Sequence, residues 1–197
     1  KTMMDVGSEE GEAAYGAKYR SMDHFVALHL DHGARRNVDR LHDGLGFLTQ
    51  HMALTAEFEA SVQAIAPHLA APYWDYTVDA LANASYAQSE IFSDDWFGAA
   101  SVNTTTKVLD AGRWAYSPVR TDAAAPERNG YGRLTDKMNQ DPVHYLTRGA
   151  ASVCGLQTKV HLPGCTELRR ALEAESLEEL DHLVEYEFHG YLHLLLG

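Results

Sequence analysis

Residues 40–60 read RLHDGLGFLTQHMALTAEFEA, a stretch that carries two histidines nine residues apart with two glycines between them. Nine residues are two and a half turns of helix, so on one continuous helix His42 and His51 would face opposite sides. Gly44 and Gly46 remove that constraint. They let His42 sit on a loop that folds back over the first turn of a helix carrying His51, and His29 arrives from the end of the preceding helix. Helix, loop and helix then give three imidazoles open on one side. Neutral imidazole suits copper, zinc, iron or nickel, so spacing alone does not choose the metal.

On either side of this stretch the pattern is helical. Tyr15, Tyr19, Met22, Val26 and Leu30 recur at three and four, which predicts one amphipathic helix over 12–30 that Gly33 ends. Ala53, Phe58, Val62 and Ile65 continue a second helix, with Thr49 at a position that favours an N-cap and Pro72 as its breaker. Residues 80–132 are rich in Gly, Asn, Thr, Asp and Pro and predict long surface loops with short helical pieces. A further helix is expected over 135–148, then a short and a longer one after Cys165. Alternating strand patterns are almost absent, so the fold class is mainly α.

The last predicted helix carries an apolar stripe (Leu177, Leu180, Val184, Phe188, Tyr191, Leu195) and a second stripe of His182, Tyr186, His189 and His193. His189 and His193, four apart, can converge on one ion. His182 sits about 10 Å further along the axis and cannot join them. With 11 histidines in 197 residues, roughly 0.6 pairs at this spacing arise by chance. Spacing therefore leaves a merely structural or exposed pair open.

Composition narrows the function. Forty-five per cent hydrophobic and 22% charged residues describe one globular domain over 1–197. Sixteen basic against 28 acidic side chains, net −12, with no basic run longer than two, argue against nucleic acid. No apolar run approaches the ~20 residues of a membrane span. No Ser or Cys nucleophile stands in a G-x-S-x-G setting, so hydrolase chemistry has no support. Lys1 at the start and an apolar run at the end predict a piece of a longer chain. Sequons at Asn83 and Asn103 predict glycosylation in loops. Cys154 and Cys165 bracket a ten-residue segment that a disulfide can close, or stand as two separate thiols. Together these predict a secreted, extracellular protein. Tyr73, Trp74 and Tyr76 are expected in the core, Asp75 in local pairing, Glu59 on the helix surface or behind the site, and His24, His32 and His68 in solvent.

"FVALH" ending at His29, then His42, "GFL" at 46–48, His51, Phe58-Glu59 and "PYWDY" at 72–76 resemble, in order and spacing, the first copper region of the tyrosinase, catechol oxidase and molluscan hemocyanin family. "HGYLH" at 189–193 resembles the start of the second. The resemblance implies a helical-bundle core of the type-3 copper kind with long loops. It also implies two copper ions, the first on His29, His42 and His51 and the second on His189 and His193, and oxidation of phenolic rings by dioxygen.

The chain departs from the family pattern in four places. It carries no downstream DPxFxxHH motif, so the second site lacks one ligand here, which comes from further sequence, from another chain of an extracellular assembly, or not at all. His144, His161 and His182 are local substitutes in poor settings. Gln50 and Met52 flank His51 where the family has Trp and Arg. Gly190 replaces an Asn associated with monophenol hydroxylation, leaving Glu185 or Glu187 to assist, and Arg40 replaces a thioether-forming Cys. The function implied is catechol-oxidase-like turnover of o-diphenols or aminophenols. The rival readings are an extracellular structural module derived from this fold with an incomplete or lost copper site, and oxygen carriage without turnover.

Overall fold

Gly16 splits the helix expected over 12–30. The computed structural model describes residues 1–33, 39–82, 85–119, 127–128, 134–135, 143, 145–149, 152–153, 156–157 and 161–196. It begins with α1 (Thr2–Asp5), α2 (Ser8–Tyr15) and α3 (Met22–Gly33). Gly16 adopts φ +97°, a conformation that glycine takes without a Cβ penalty. The turn drives Tyr19 into the interior, where it is 0% exposed and donates to the Val6 carbonyl at 2.8 Å. Its ring fills the space over Gly11, where an added methyl would lie 1.9 Å from Tyr19 Cε1. A continuous helix would forfeit that buried aromatic. Val26, on the expected apolar stripe, is exposed.

The twenty-residue α4 (Gly46–Ile65) packs on α3. Phe25 and Phe58 meet edge-on at 5.6 Å, within a core of Met3, Tyr19 and Phe25 that Met22, Leu54, Val62 and Ile65 surround. Ser61, wholly buried, accepts from Arg20 N and donates to Arg20 O, both at 2.8 Å. One side chain thus satisfies the backbone of the segment leading into α3. Thr49 is not an N-cap. It lies inside the first turn, its hydroxyl donating back to Gly46 O at 3.3 Å. Nor does Pro72 end α4. Ala66 turns extended (φ −143°, ψ 92°) because the ring of Pro67 disfavours helical backbone before it. Glu59 then holds the following loop, accepting from Ala71 N at 2.9 Å.

The chain divides into two compact units, Lys1–Tyr73 with Ala124–Lys137, and Trp74–Ala123 with Met138–Gly197. The first contains α1 to α4 and an antiparallel pair of two-residue strands, β1 (Glu127–Arg128) and β2 (Leu134–Thr135).

The second begins near α5 (Tyr76–Leu81) and continues through two short 3-10 turns into irregular chain. That chain is more than surface loop, since Phe92, Ala100, Val102, Val108 and Leu109 are buried. Extended pairing replaces the helix expected over 135–148 at its described positions. Leu134–Thr135 is β2, Tyr145 and Thr147 bridge to Pro118 and Val108, and Leu109 N donates to Leu146 O at 2.9 Å. A second hairpin pairs β3 (Ser152–Val153) with β4 (Leu156–Gln157). Trp74 packs on Tyr76 and Phe92 and donates to Asp79 Oδ2 at 2.6 Å, whereas Tyr73 is 82% exposed and not core.

Beyond lie α6 (Cys165–Leu172), α7 (Leu177–Leu183), a π-helical turn over Val184–His189, and α8 (Gly190–Leu196). Ser176 caps α7 by accepting from Glu179 N at 3.1 Å. Ala171, Leu183 and Phe188 form the core here, with Tyr76, Ala174 and Leu180 around them. The fold is mainly α. Among the described residues no helix is long and apolar enough to cross a membrane.

Candidate metal centre

Asp39 builds the loop that presents His42. Its Oδ1 accepts from Leu41 N and His42 N, both at 2.9 Å, a side-chain turn characteristic of Asp. Its Oδ2 accepts a hydrogen bond from His42 Nδ1 at 2.9 Å. Arg40 N donates to His32 O at 3.0 Å, tying the loop to the end of α3. Asp43 at φ +57° and Gly44 at φ +157° turn the chain into α4. Gly33 leaves room for the result, since a Cβ there would stand 3.0 Å from His42 Cε1.

His51 lies in the second turn of α4, where its Nδ1 donates to Phe47 O at 2.9 Å. A carbonyl only accepts, so this bond fixes the tautomer and leaves Nε2 as the lone-pair atom. The same logic applies to His42 on Asp39. His29 from α3 completes the group, with ring centroids 5.2 Å from His42 and 5.6 Å from His51, while His42 and His51 are 5.2 Å apart. One ring nitrogen from each lies within 4.8 Å of the other two.

Burial pushes the His51 pKa down. The neighbouring His42 adds to this, and the Phe47 carbonyl and Asp39 oppose it. A neutral imidazole is the form that binds metal. Phe47, 3% exposed, packs at 4.5 Å on the His51 ring and closes one wall. Alongside His29 a cleft of about 420 Å³ opens between α3 and α4, lined among others by Leu28, His32, Arg40, Gln50 and Glu57. Three nitrogen donors fit a copper ion, two of them tethered, one by a carboxylate and one by a carbonyl, the arrangement common at histidine metal sites.

His189, closing the π turn, and His193, in α8, have Nε2 atoms 3.2 Å apart and ring centroids at 4.6 Å. Among the described residues His29, His42 and His51 form the one group of three donors. His161 and His182 do not join the pair, and His144 lies outside the described residues. The single stripe expected for His182, Tyr186, His189 and His193 is broken into two ring pairs, His182 with Tyr186 at 4.7 Å and His189 with His193.

His68 is exposed as expected, but His24 and His32 are half-buried, and His24 Nε2 lies 3.3 Å from Glu57 Oε1. Asn103 is exposed, while Asn83 lies outside the described residues. Cys165 is an exposed thiol, and Cys154, its expected partner, lies outside the described residues. Sequence reasoning missed Asp39 and Gly33. The Asp-x-x-His spacing of 39–42 was the signal that could have found the first.

Residues 19–197 match the family described as the common central domain of tyrosinase. The tyrosinase of Streptomyces glaucescens is 30% identical over 123 residues, 56% of this chain and 41% of that protein. The tyrosinase of Streptomyces lincolnensis is 26% identical over 98 residues, 50% of this chain and 33% of that protein. The aligned region thus spans well under half the length of either relative. With the family match covering the histidine triad and the histidine pair together, the chain belongs to the tyrosinase family, whose members imply copper.

Proposed function

We propose that this chain is a copper-dependent oxidase that converts o-diphenols to quinones, or aminophenols to quinone imines, with dioxygen. The observation that carries the reading is the convergence of His29, His42 and His51, two of them tethered through Nδ1. Copper, when bound, supplies the redox centre through which electrons pass to dioxygen. Each diphenol gives up two electrons and two protons, and dioxygen takes four of each, so two quinones and two waters form per dioxygen.

The protein's part is to hold its imidazoles neutral and aimed. Asp39 and the Phe47 carbonyl fix the tautomers, and burial disfavours protonation of His51. Gly190 stands where the family often has Asn, which favours diphenols over monophenols as substrates.

The test is oxygen uptake by the copper-loaded chain with a catechol and with a monophenol. Uptake with about two quinones formed per dioxygen, and at least tenfold slower turnover of the monophenol, is the expected result. A chain that holds its copper and consumes no oxygen with catechol would refute the oxidase.

A second reading, an extracellular structural module with an incomplete copper site, is favoured by the histidine pair, which has no third donor among the described residues. Copper per chain separates the two, at about two for the oxidase and one or none for the module. We propose an extracellular setting on the exposed Asn103 sequon. A glycosidase-dependent mass shift of the native protein is the expected result, and an unmodified Asn103 counts against it.

A further inference from the structure

On an uninterrupted α-helix, His182, Tyr186, His189 and His193 fall within about 60° of one another at 3.6 residues per turn. The structure does not keep that register. Val184–His189 is a π turn, closed by the Gly190 N–H on the Glu185 carbonyl five residues back. A π turn absorbs one residue, so everything after it lags by about 100°. His189 and His193 thereby leave the line of His182 and Tyr186 and enter that of Asp181 and Glu185, giving a row at every fourth residue.

The row runs from a buried start to an open end: Asp181 is 3% and Glu185 4% exposed, His189 is half-buried and His193 is exposed. The histidine rings pair with each other, and His182 pairs with Tyr186. Asp181 Oδ1 has no hydrogen-bond partner among the described residues. Gly190 is suited to the turn as well, since a Cβ there would stand 3.2 Å from Glu185 O.

We infer that the π turn is a register shifter that sets two buried carboxylates, Asp181 and Glu185, in line with His189 and His193, where their charge strengthens the hold of a two-histidine site on a divalent cation. Buried charge acts through a weaker dielectric than surface charge, so a carboxylate that is not itself a ligand still attracts the ion. This gives the pair a source of affinity beyond its two donors. It rests on the reading that His189 and His193 bind metal.

The experiment is a Zn²⁺ titration of the full chain carrying His42→Ala and His51→Ala, which silences the triad. If that background does not fold, the second phase of the titration of the unaltered chain is read instead. Glu185→Gln is expected to weaken binding about tenfold, and Glu178→Gln, on the exposed side of α7, to leave it unchanged. Deleting Tyr186 restores plain α register, and in that chain Glu185→Gln is expected to have no effect. Unchanged affinity on Glu185→Gln in the parent overturns the inference even if the deleted chain fails to fold. An equal loss in both registers overturns it as well. Binding that does not respond to His193→Ala refutes the underlying reading instead, and with it the inference.

Discussion

The triad and the pair are both made of histidine, but they are built by different means. His189 and His193 sit four residues apart within a single helical run, and such spacing brings two rings together in any helix. His29, His42 and His51 come from a helix, a loop and another helix, and they meet because Asp39, the turn at Asp43 and Gly44, and the α3–α4 core place them. The pair is local and cheap to form. The triad is a product of tertiary structure, with the Nδ1 atoms of His42 and His51 already tethered. A site assembled that way resists reorganisation when metal leaves, and its affinity depends on residues that never touch the ion.

Removing a ligand should separate the two regions most sharply. His42→Ala should lower copper affinity at the triad by more than about a hundredfold in competition with a chromophoric chelator, and His193→Ala should leave that phase untouched. A common response to both variants would mean that the two regions do not bind independently.

Asp39→Asn is the next largest. The amide oxygen can still accept from the Leu41 and His42 amides, but the charge behind His42 Nδ1 is gone, so affinity should fall about tenfold to a hundredfold. An unchanged isotherm would show that the tether only shapes the loop.

Ser61→Ala asks whether the framework and the site can be uncoupled. Two backbone groups of Arg20 lose their partner, and unfolding free energy should drop by about 1–2 kcal/mol while copper affinity stays within about threefold. A large loss of affinity would mean that the triad leans on the framework more than its own tethers imply.

The pH effect is smaller. Burial keeps folded His51 below its ordinary value near 6.5, so the unfolded chain binds that proton first as pH falls. The stability that neutral His51 contributes is therefore complete above about pH 6.5 and lost as pH falls through the lowered folded value. Urea midpoints of the metal-free chain should drop more between about pH 7.5 and about pH 5.5 than those of His51→Asn, and parallel curves would contradict this. Least of all, Tyr73→Ala should move stability by no more than about 0.5 kcal/mol, since the side chain is 82% exposed.

Periodicity found the helical class, the second helix and the paired histidines, because those follow from local spacing. It merged α2 with α3, since a glycine at positive φ is invisible to a count of apolar positions, and Tyr19 fits a helical stripe and a buried socket equally well. It named Pro72 where Pro67 acts, two residues beyond the last helical position. The helix expected over 135–148 failed where described because partners at 108–118, far away in sequence, offer its backbone a ladder. At the site, the glycines between His42 and His51 already pointed to three converging histidines, the likeness of motifs added copper, and Asp39 was overlooked because it acts through hydrogen bonds rather than as a ligand.

Ser61 turns one amide into a clock. Arg20 belongs to no helix, and an amide in such a segment ordinarily trades its proton for deuterium within seconds. Here that proton is held against an oxygen with no solvent exposure, so exchange waits for α4 to part from the segment that leads into α3. Followed in heavy water with and without metal, the lifetime of this single proton reports how often the platform beneath His29 and His51 comes apart.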